Sequence, residues 1–317
     1  MKTMNVMRFN DSAEAPALIP FTAPIPEPKK GEIVIKVHAA GVTPTELQWY
    51  PTTHTPTGEA RTGAIPGHEF SGVVAAVGPD ADPQIIGSEV FGMNDWFAEG
   101  ASAEYCVTVG TSVASKPSGL AHAAAATVPI SALTAWQGLF DHAKLCSGER
   151  VLIHGGSGAV GMYAIQLARR IGAHVITTAS ARNVDFLREL GANEVIDYGA
   201  DRFEEHAHNL DVVFDAVGGD TLARSWHLLS SGGRVVTIAT NSEGTSDDRI
   251  KKAFFIVTPN HDQLKEISGL LNTKEIRFFV DAIVPLDKAS DAYCGKIGER
   301  KGRGKAVLSL VSDKTPP

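Results

Sequence analysis

The sequence predicts an α/β fold in two parts: a doubly wound parallel sheet in the middle of the chain, and a β-rich domain assembled from both ends. Three observations carry this. Val151 to Arg169 reads as a buried strand, a glycine turn and an amphipathic helix, in that order. From Arg150 onward, strand and helix patterns alternate. The first third of the chain and its C-terminal end carry short strand patterns separated by Gly, Pro and Asp.

In chain order, Glu32-Ile-Val-Ile-Lys-Val-His38 and Phe70 to Val77 read as strands, followed by Ile85 to Gly92 and Ala101 to Val109. Short strands at this spacing belong to a small barrel or sandwich. Pro51 to Gly63 is rich in Thr, Pro and Gly without periodicity, which predicts a loop. Leu120 to Ala126 and Ser131 to Ala143 read as helices separated near Pro129. Then strands at 151–154, 174–178, 194–196, 212–214 and 234–238 alternate with helices at 159–171, 183–190 and 222–229. Such alternation implies a parallel sheet with helices on both faces. Asp262 to Leu271 is a further helix, and Arg277 to Val284 and Ala306 to Val311 turn β-like again. The expected division is 1–121 with 273–317 for the β-rich domain and 122–272 for the parallel sheet.

Gly156, Gly158 and Gly161 form G-x-G-x-x-G between strand and helix. Glycines there permit a tight turn and close approach of a pyrophosphate to the helix N-terminus, where free amides and the helix dipole stabilise its charge. A nucleophile elbow at Ser157 is the rival reading, but it requires glycine at 159, where Ala159 stands. An NAD site usually carries Asp or Glu about 20 residues past the glycines. Here that window holds Ser180 and Arg182 and no acid. Arginine binds a 2′-phosphate that a carboxylate would repel, so NADPH is the expected cofactor. The alternative for Arg182 is a solvated helix start.

The chain has 317 residues, 43% of them hydrophobic, with a net charge of −7, which argues against general nucleic-acid binding. Cys106, Cys146 and Cys294 are far apart, so neither a disulfide framework nor a structural zinc site is expected. The N-terminus has no signal-peptide pattern and no run approaches the ~18 apolar residues of a membrane span. A cytoplasmic protein is the expectation.

The chain resembles the zinc-free members of the medium-chain dehydrogenase/reductase superfamily, close to NADPH:quinone oxidoreductases and zeta-crystallin-like proteins. The resemblance rests on Gly41-Val-Thr-Pro-Thr-Glu-Leu47, Ile65-Pro-Gly-His-Glu-Phe-Ser-Gly-Val73, Leu133-Thr-Ala-Trp136, the glycine turn, Leu190 to Tyr198, Asp211 to Gly219, Gly232-Gly-Arg-Val-Val236 and Gly302 to Leu308. It implies a GroES-like β domain and a Rossmann domain. It also implies that Gly156, Ser157, Gly158, Ala159, Val160 and Gly161 meet the pyrophosphate, and that Ser180 and Arg182 hold the 2′-phosphate. Tyr198 would lie near the adenosine. Val217, Gly218, Ile238, Ala239 and Thr240 would line the ribose and nicotinamide, with Thr134 near the carboxamide. Phe255 and Ile256 would meet the nicotinamide end through their backbone, with Lys305 close by. A homodimer built through the Rossmann domains is also implied.

Relatives that use catalytic zinc place cysteine near position 43, where Thr43 stands, so no metal is expected. Without that Lewis acid, good hydride acceptors fit best: quinones, or α,β-unsaturated ketones and aldehydes. Thr43 and Tyr50 are the candidate donors to the acceptor oxygen. Trp49, Trp96 and Phe97 are candidates for an apolar wall, with core packing as the alternative for Trp96 and Phe97. His68 and Glu69 are expected to form a buried structural pair, and His206 and His208 to be solvated. The other function the resemblance allows is a catalytically weak, crystallin-like NADPH-binding protein with a structural or RNA-binding role.

Overall fold

The computed structural model describes residues 2–10 and 17–311. The chain divides into two compact units: Met1–Ile130, Thr258–Lys274 and Phe278–Pro317 form the first, Ser131–Val257 and Glu275–Arg277 the second.

The chain opens with β1 (Thr3–Phe9) and β2 (Leu18–Pro24), an antiparallel pair with Val6 opposite Phe21. This pair was not expected from the sequence. Pro20 and Pro24 remove ladder donors from β2, which is tolerated only on an edge strand. Next come β3 (Glu32–Gly41), β4 (Glu69–Val77), β5 (Glu89–Met93), β6 (Tyr105–Val109) and β7 (Val113–Ser115). Helix α1 (Tyr50–Thr53) starts the segment expected to be loop, and α2 (His122–Ala125) follows β7. Ile33 and Ile35 of β3 pack with Phe70 and Val74 of β4 in the core of this unit. Each fully buried side chain of that size contributes about 1.5–3 kcal/mol.

Helix α3 (Pro129–Trp136) begins at proline, whose fixed φ suits a first helical turn. Its continuation, Gln137–His142, is a π-helical turn, so the expected helix persists with altered pitch. The second unit then builds β8 (Arg150–His154), α4 (Ala159–Arg170), β9 (His174–Ala179), α5 (Val184–Leu190), β10 (Glu194–Asp197), β11 (Leu210–Asp215), α6 (Gly219–Ser225) and β12 (Leu229–Thr237). The sheet is parallel throughout, in the order β10-β9-β8-β11-β12. The order reverses at β8, the doubly wound arrangement that binds ligands beyond the carboxyl ends of its strands. After α7 (Asp248–Ala253), Phe254 forms a parallel bridge with Thr237.

Helix α8 (His261–Asn272) is capped by the Asn260 side chain, which accepts from the Gln263 amide. It belongs with the first unit, not with the parallel sheet as the expected boundary at 272 has it. His261 Nδ1 donates to Val113 O at 2.6 Å and Ser268 Oγ to Ser115 O at 3.1 Å, both on β7. Residues 122–130 group with the first unit as well, and the Ile130 amide donates to Glu69 Oε2 at 2.9 Å. Finally β13 (Val280–Pro285), α9 (Ala289–Tyr293) and β14 (Lys305–Ser309) complete a seven-stranded sheet along β13-β14-β3-β4-β5-β7, with β6 on β3. Among the described residues no helix is long and apolar enough to cross a membrane.

Candidate active site

The glycine turn joins β8 to α4. A Cβ on Gly156 would overlap Thr177 Oγ1, and one on Gly161 would overlap the Gly155 carbonyl, so helix and strand approach too closely for any side chain there. Gly158 is the N-cap of α4 and supplies no side-chain cap. The amides of the first turn, including Ala159, Val160 and Gly161, have no carbonyl within the helix to bond. Ser157 stands half-buried beside them. Together with the helix dipole, these groups form a cradle that fits a pyrophosphate.

Every other cofactor residue expected in this unit's sheet follows the carboxyl end of a strand. Ser180 follows β9, and its Oγ accepts from Asn183 Nδ2 at 3.2 Å. Arg182 is exposed and has no ion-pair partner among the described residues. Tyr198 follows β10 and is 65% exposed. Its amide donates to Ala179 O at 3.1 Å, which sets it beside the start of the Ser180 turn. Val217 and Gly218 follow β11, and Ile238, Ala239 and Thr240 follow β12. Thr134 is buried on α3. The Phe255 amide donates to Thr237 O and its ring stacks on His142 at 4.3 Å, leaving Ile256 as the exposed member of the pair. The residues present therefore fit a dinucleotide.

Three residues here escaped the sequence reading. His154, fully buried at the end of β8, has Thr178 Oγ1 3.1 Å from Nδ1 and Ser225 Oγ 2.9 Å from Nε2. Ser225 already donates to Thr221 O, so Nε2 carries the proton and Nδ1 accepts from Thr178. Burial pushes the imidazole pKa down to about 4, keeping it neutral. Asp215 and Thr237 are the other two, joined by a 2.7 Å hydrogen bond. A polar residue at the end of a buried strand, as at His154, was the available signal.

The first unit gathers the other candidates. Thr43 stands at the N-cap position of the 3₁₀ turn Pro44–Gln48, and its buried hydroxyl has no hydrogen-bond partner among the described residues. Trp49 and Trp96 meet edge to face with centroids 4.6 Å apart, and Trp96 lies 5.1 Å from the His68 ring. Phe97 is half-buried, and Tyr50 is exposed, stacked on His54 at 4.4 Å. Beneath this group lies Glu46, fully buried and absent from the sequence-based candidates. Its carboxylate accepts from Gly67 N at 2.7 Å and His68 N at 3.3 Å, and lies 3.4 Å from His68 Nδ1 and 3.5 Å from Tyr293 Oη. Burial opposes its ionisation, but the His68 ring and the two amides more than offset that and hold it below the usual carboxylate range.

Lys305 has its ammonium bonded to Glu69 Oε1 in a buried ion pair. Burial pushes the Glu69 carboxyl above the usual range even against that ammonium. The expected pairing of His68 with Glu69 is corrected: His68 faces Glu46 and Ala98 O, and Glu69 faces Lys305 and Ile130 N.

The family described as alcohol dehydrogenase GroES-like domain matches residues 29–137, and that described as zinc-binding dehydrogenase matches residues 190–308. A probable zinc-binding oxidoreductase, mitochondrial, of Arthroderma benhamiae is 32% identical, across 95% of this chain and 96% of its own length. The chain belongs to the medium-chain dehydrogenase/reductase superfamily. This is a superfamily of oxidoreductases that use nicotinamide nucleotides. A 2-methylene-furan-3-one reductase of Solanum lycopersicum is 31% identical, across 90% of this chain and 74% of that one. The quinone oxidoreductase structure from Coxiella burnetii superposes with a TM-score of 0.85 at 30% identity, covering 98% of this chain and all of that one.

Membership raises the question of zinc. A catalytic zinc usually takes three protein ligands. Thr43 is no such ligand, and His68 has Ala98 O 3.2 Å from Nε2 and Glu46 facing Nδ1. Among the described residues no three His, Cys, Asp or Glu side chains are grouped to hold a metal. The donor set does not fit a catalytic zinc. His206 sits on the surface, 3.8 Å from Asp201.

Proposed function

We propose that this oxidoreductase uses NADPH to deliver a hydride to a quinone or an α,β-unsaturated ketone or aldehyde, without a metal. The observation that carries the reading is the pairing of the glycine cradle with Ser180 and exposed Arg182 beyond the neighbouring strand, where no acid stands. The nicotinamide, when bound, supplies the hydride.

The chain's own residues orient and polarise. The amides of α4's first turn and Ser157 bind the pyrophosphate, and Arg182 binds the 2′-phosphate with charge-assisted hydrogen bonds. Trp49 and Trp96 offer an apolar wall for a flat acceptor. The unpartnered Thr43 hydroxyl is free to donate to the acceptor oxygen as negative charge develops there. An acceptor that is already electron-poor needs no stronger Lewis acid than this. The names of the Solanum lycopersicum reductase and the Coxiella burnetii oxidoreductase support the acceptor class.

Stopped-flow oxidation of NADPH against a panel of quinones and enones, on protein with its metal content measured, tests the reading. Turnover by metal-free protein with at least one acceptor is expected. Cofactor binding without turnover of any acceptor, or activity that tracks zinc content, would sink it.

A further inference from the structure

We propose that Asp215 and Thr237 are positioning residues, a buried carboxylate–hydroxyl clamp that holds the loops after β11 and β12 in the shape that binds the nicotinamide half of the cofactor. The proposal rests on the nucleotide-binding reading above.

Asp215 is the last residue of β11 and is fully buried. Its Oδ1 accepts from the amides of Val217 at 3.1 Å and Gly218 at 3.0 Å. Its Oδ2 accepts from Thr237 Oγ1 at 2.7 Å, at the end of β12. Having donated its proton, that hydroxyl accepts from the Ala239 amide at 3.2 Å. The main chain of the same two residues extends the clamp. Asp215 O accepts from Ile238 N at 3.0 Å, and Thr237 O accepts from Phe255 N at 3.3 Å.

The chemistry of the pair is specific. A carboxylate only accepts, so three converging donors suit it. Asparagine would turn an NH2 group toward one of them. A threonine hydroxyl donates once and still accepts, so it relays the clamp from the Asp215 loop to the Ala239 loop.

The strands themselves do not need these side chains. β11 and β12 are already joined by their parallel ladder, with Asp215 opposite Thr237. What the side chains add is the shape of two loops, and Val217 and Thr240 on those loops point into solvent rather than into a core. A buried anion that organises exposed loops serves a ligand more than it serves the core.

Thr237→Val keeps the side chain's shape and removes the hydroxyl, whereas Thr237→Ser keeps the hydroxyl. The loss of a hydrogen bond to a charged group predicts that Thr237→Val weakens NADPH binding about tenfold or more by calorimetry and by cofactor fluorescence. Thr237→Ser is expected to stay within about twofold of wild type, because the hydroxyl that makes the bond is retained. The KM for NADPH should rise in Thr237→Val while the acceptor KM and the kcat at saturating NADPH hold, as for a purely binding effect. In the wild type, NADPH should slow hydrogen exchange at the amides of Val217, Gly218 and Ala239 together, a readout that needs no variant. Wild-type affinity in Thr237→Val, equal losses in Val and Ser variants, or unchanged exchange at the three amides would overturn the clamp. Failure of the wild type itself to bind NADPH would overturn the parent reading along with it.

Discussion

In the β-rich unit two fully buried carboxylates stand out: Glu69 faces the Lys305 ammonium, and Glu46 is held by two amides, the His68 ring and Tyr293. In the parallel-sheet unit the polar groups buried nearest the glycine turn are held differently. His154 is neutral between two hydroxyls, and the Asp215 carboxylate is held by amides and one hydroxyl. The first arrangement joins residues 21 to 247 positions apart, the second mostly neighbouring loop amides and residues at adjacent strand ends. The contrast implies different failure modes. Removing one half of an ion pair leaves an uncompensated charge, whereas disturbing the second unit alters loop shape and helix–strand approach.

The largest effect is expected at the ion pair. Lys305→Met strands Glu69 in the core, and breaking a buried pair costs about 3–5 kcal/mol. Adding Glu69→Gln should restore more than half of the loss, since the orphaned charge is then gone. Urea unfolding of both variants measures this. If Lys305→Met costs no more than a surface substitution, the β-rich unit does not depend on its ionic pair and the contrast fails.

Next comes the neutral imidazole. The unfolded chain takes up a proton at His154 near 6.5, but the folded chain does so only near 4. The folded pKa is depressed, so the stabilisation is fully present above 6.5 and is lost as pH falls toward 4. The linked change is about 3 kcal/mol. Unfolding free energies of wild type and His154→Gln across that window should converge as pH falls. A constant gap between them would remove His154 from the pH dependence. A smaller effect is expected at the helix–strand contact. Gly161→Ala puts a methyl group against the Gly155 carbonyl, and overpacking of this kind costs about 1–3 kcal/mol. Denaturation measures that cost, and calorimetry should show weakened NADPH binding alongside it.

The same contrast explains what the sequence made legible. The glycine turn is local: strand, turn and helix occupy one continuous stretch, so pattern and chemistry coincide. The placement of Ser180 and Arg182 just after β9, the strand beside β8, was legible for the same reason. The boundaries of the parallel sheet were less so, since α8 looks like any amphipathic helix until His261 and Ser268 are seen bonding β7. Glu46 was invisible because its partners are Gly67, His68 and Tyr293, and no periodicity links them. The ion pair of Lys305 was hidden for a related reason: its partner lies 236 residues away. Lys305 itself is buried, while Arg303 near it is only partly covered.

The mildest change tests the most specific claim. Arg182 is exposed and makes no ion pair among the described residues, so replacing it should leave the unfolding free energy within about 0.5 kcal/mol of wild type. Its expected role is confined to one phosphate. Arg182→Glu should therefore weaken NADPH by about 10- to 100-fold, through a lost charge-assisted hydrogen bond and a new repulsion, while NADH changes little. The effect should shrink as salt rises, because an exposed charge is screened over about 8–10 Å at ordinary ionic strength. Ser180 offers a finer check: its hydroxyl is already oriented by Asn183, so Ser180→Ala should shift the NADPH preference in the same direction but less far. Equal losses for both nucleotides in Arg182→Glu would mean that the guanidinium does not read the 2′-phosphate. The choice of cofactor would then have to come from the loops that Asp215 and Thr237 hold.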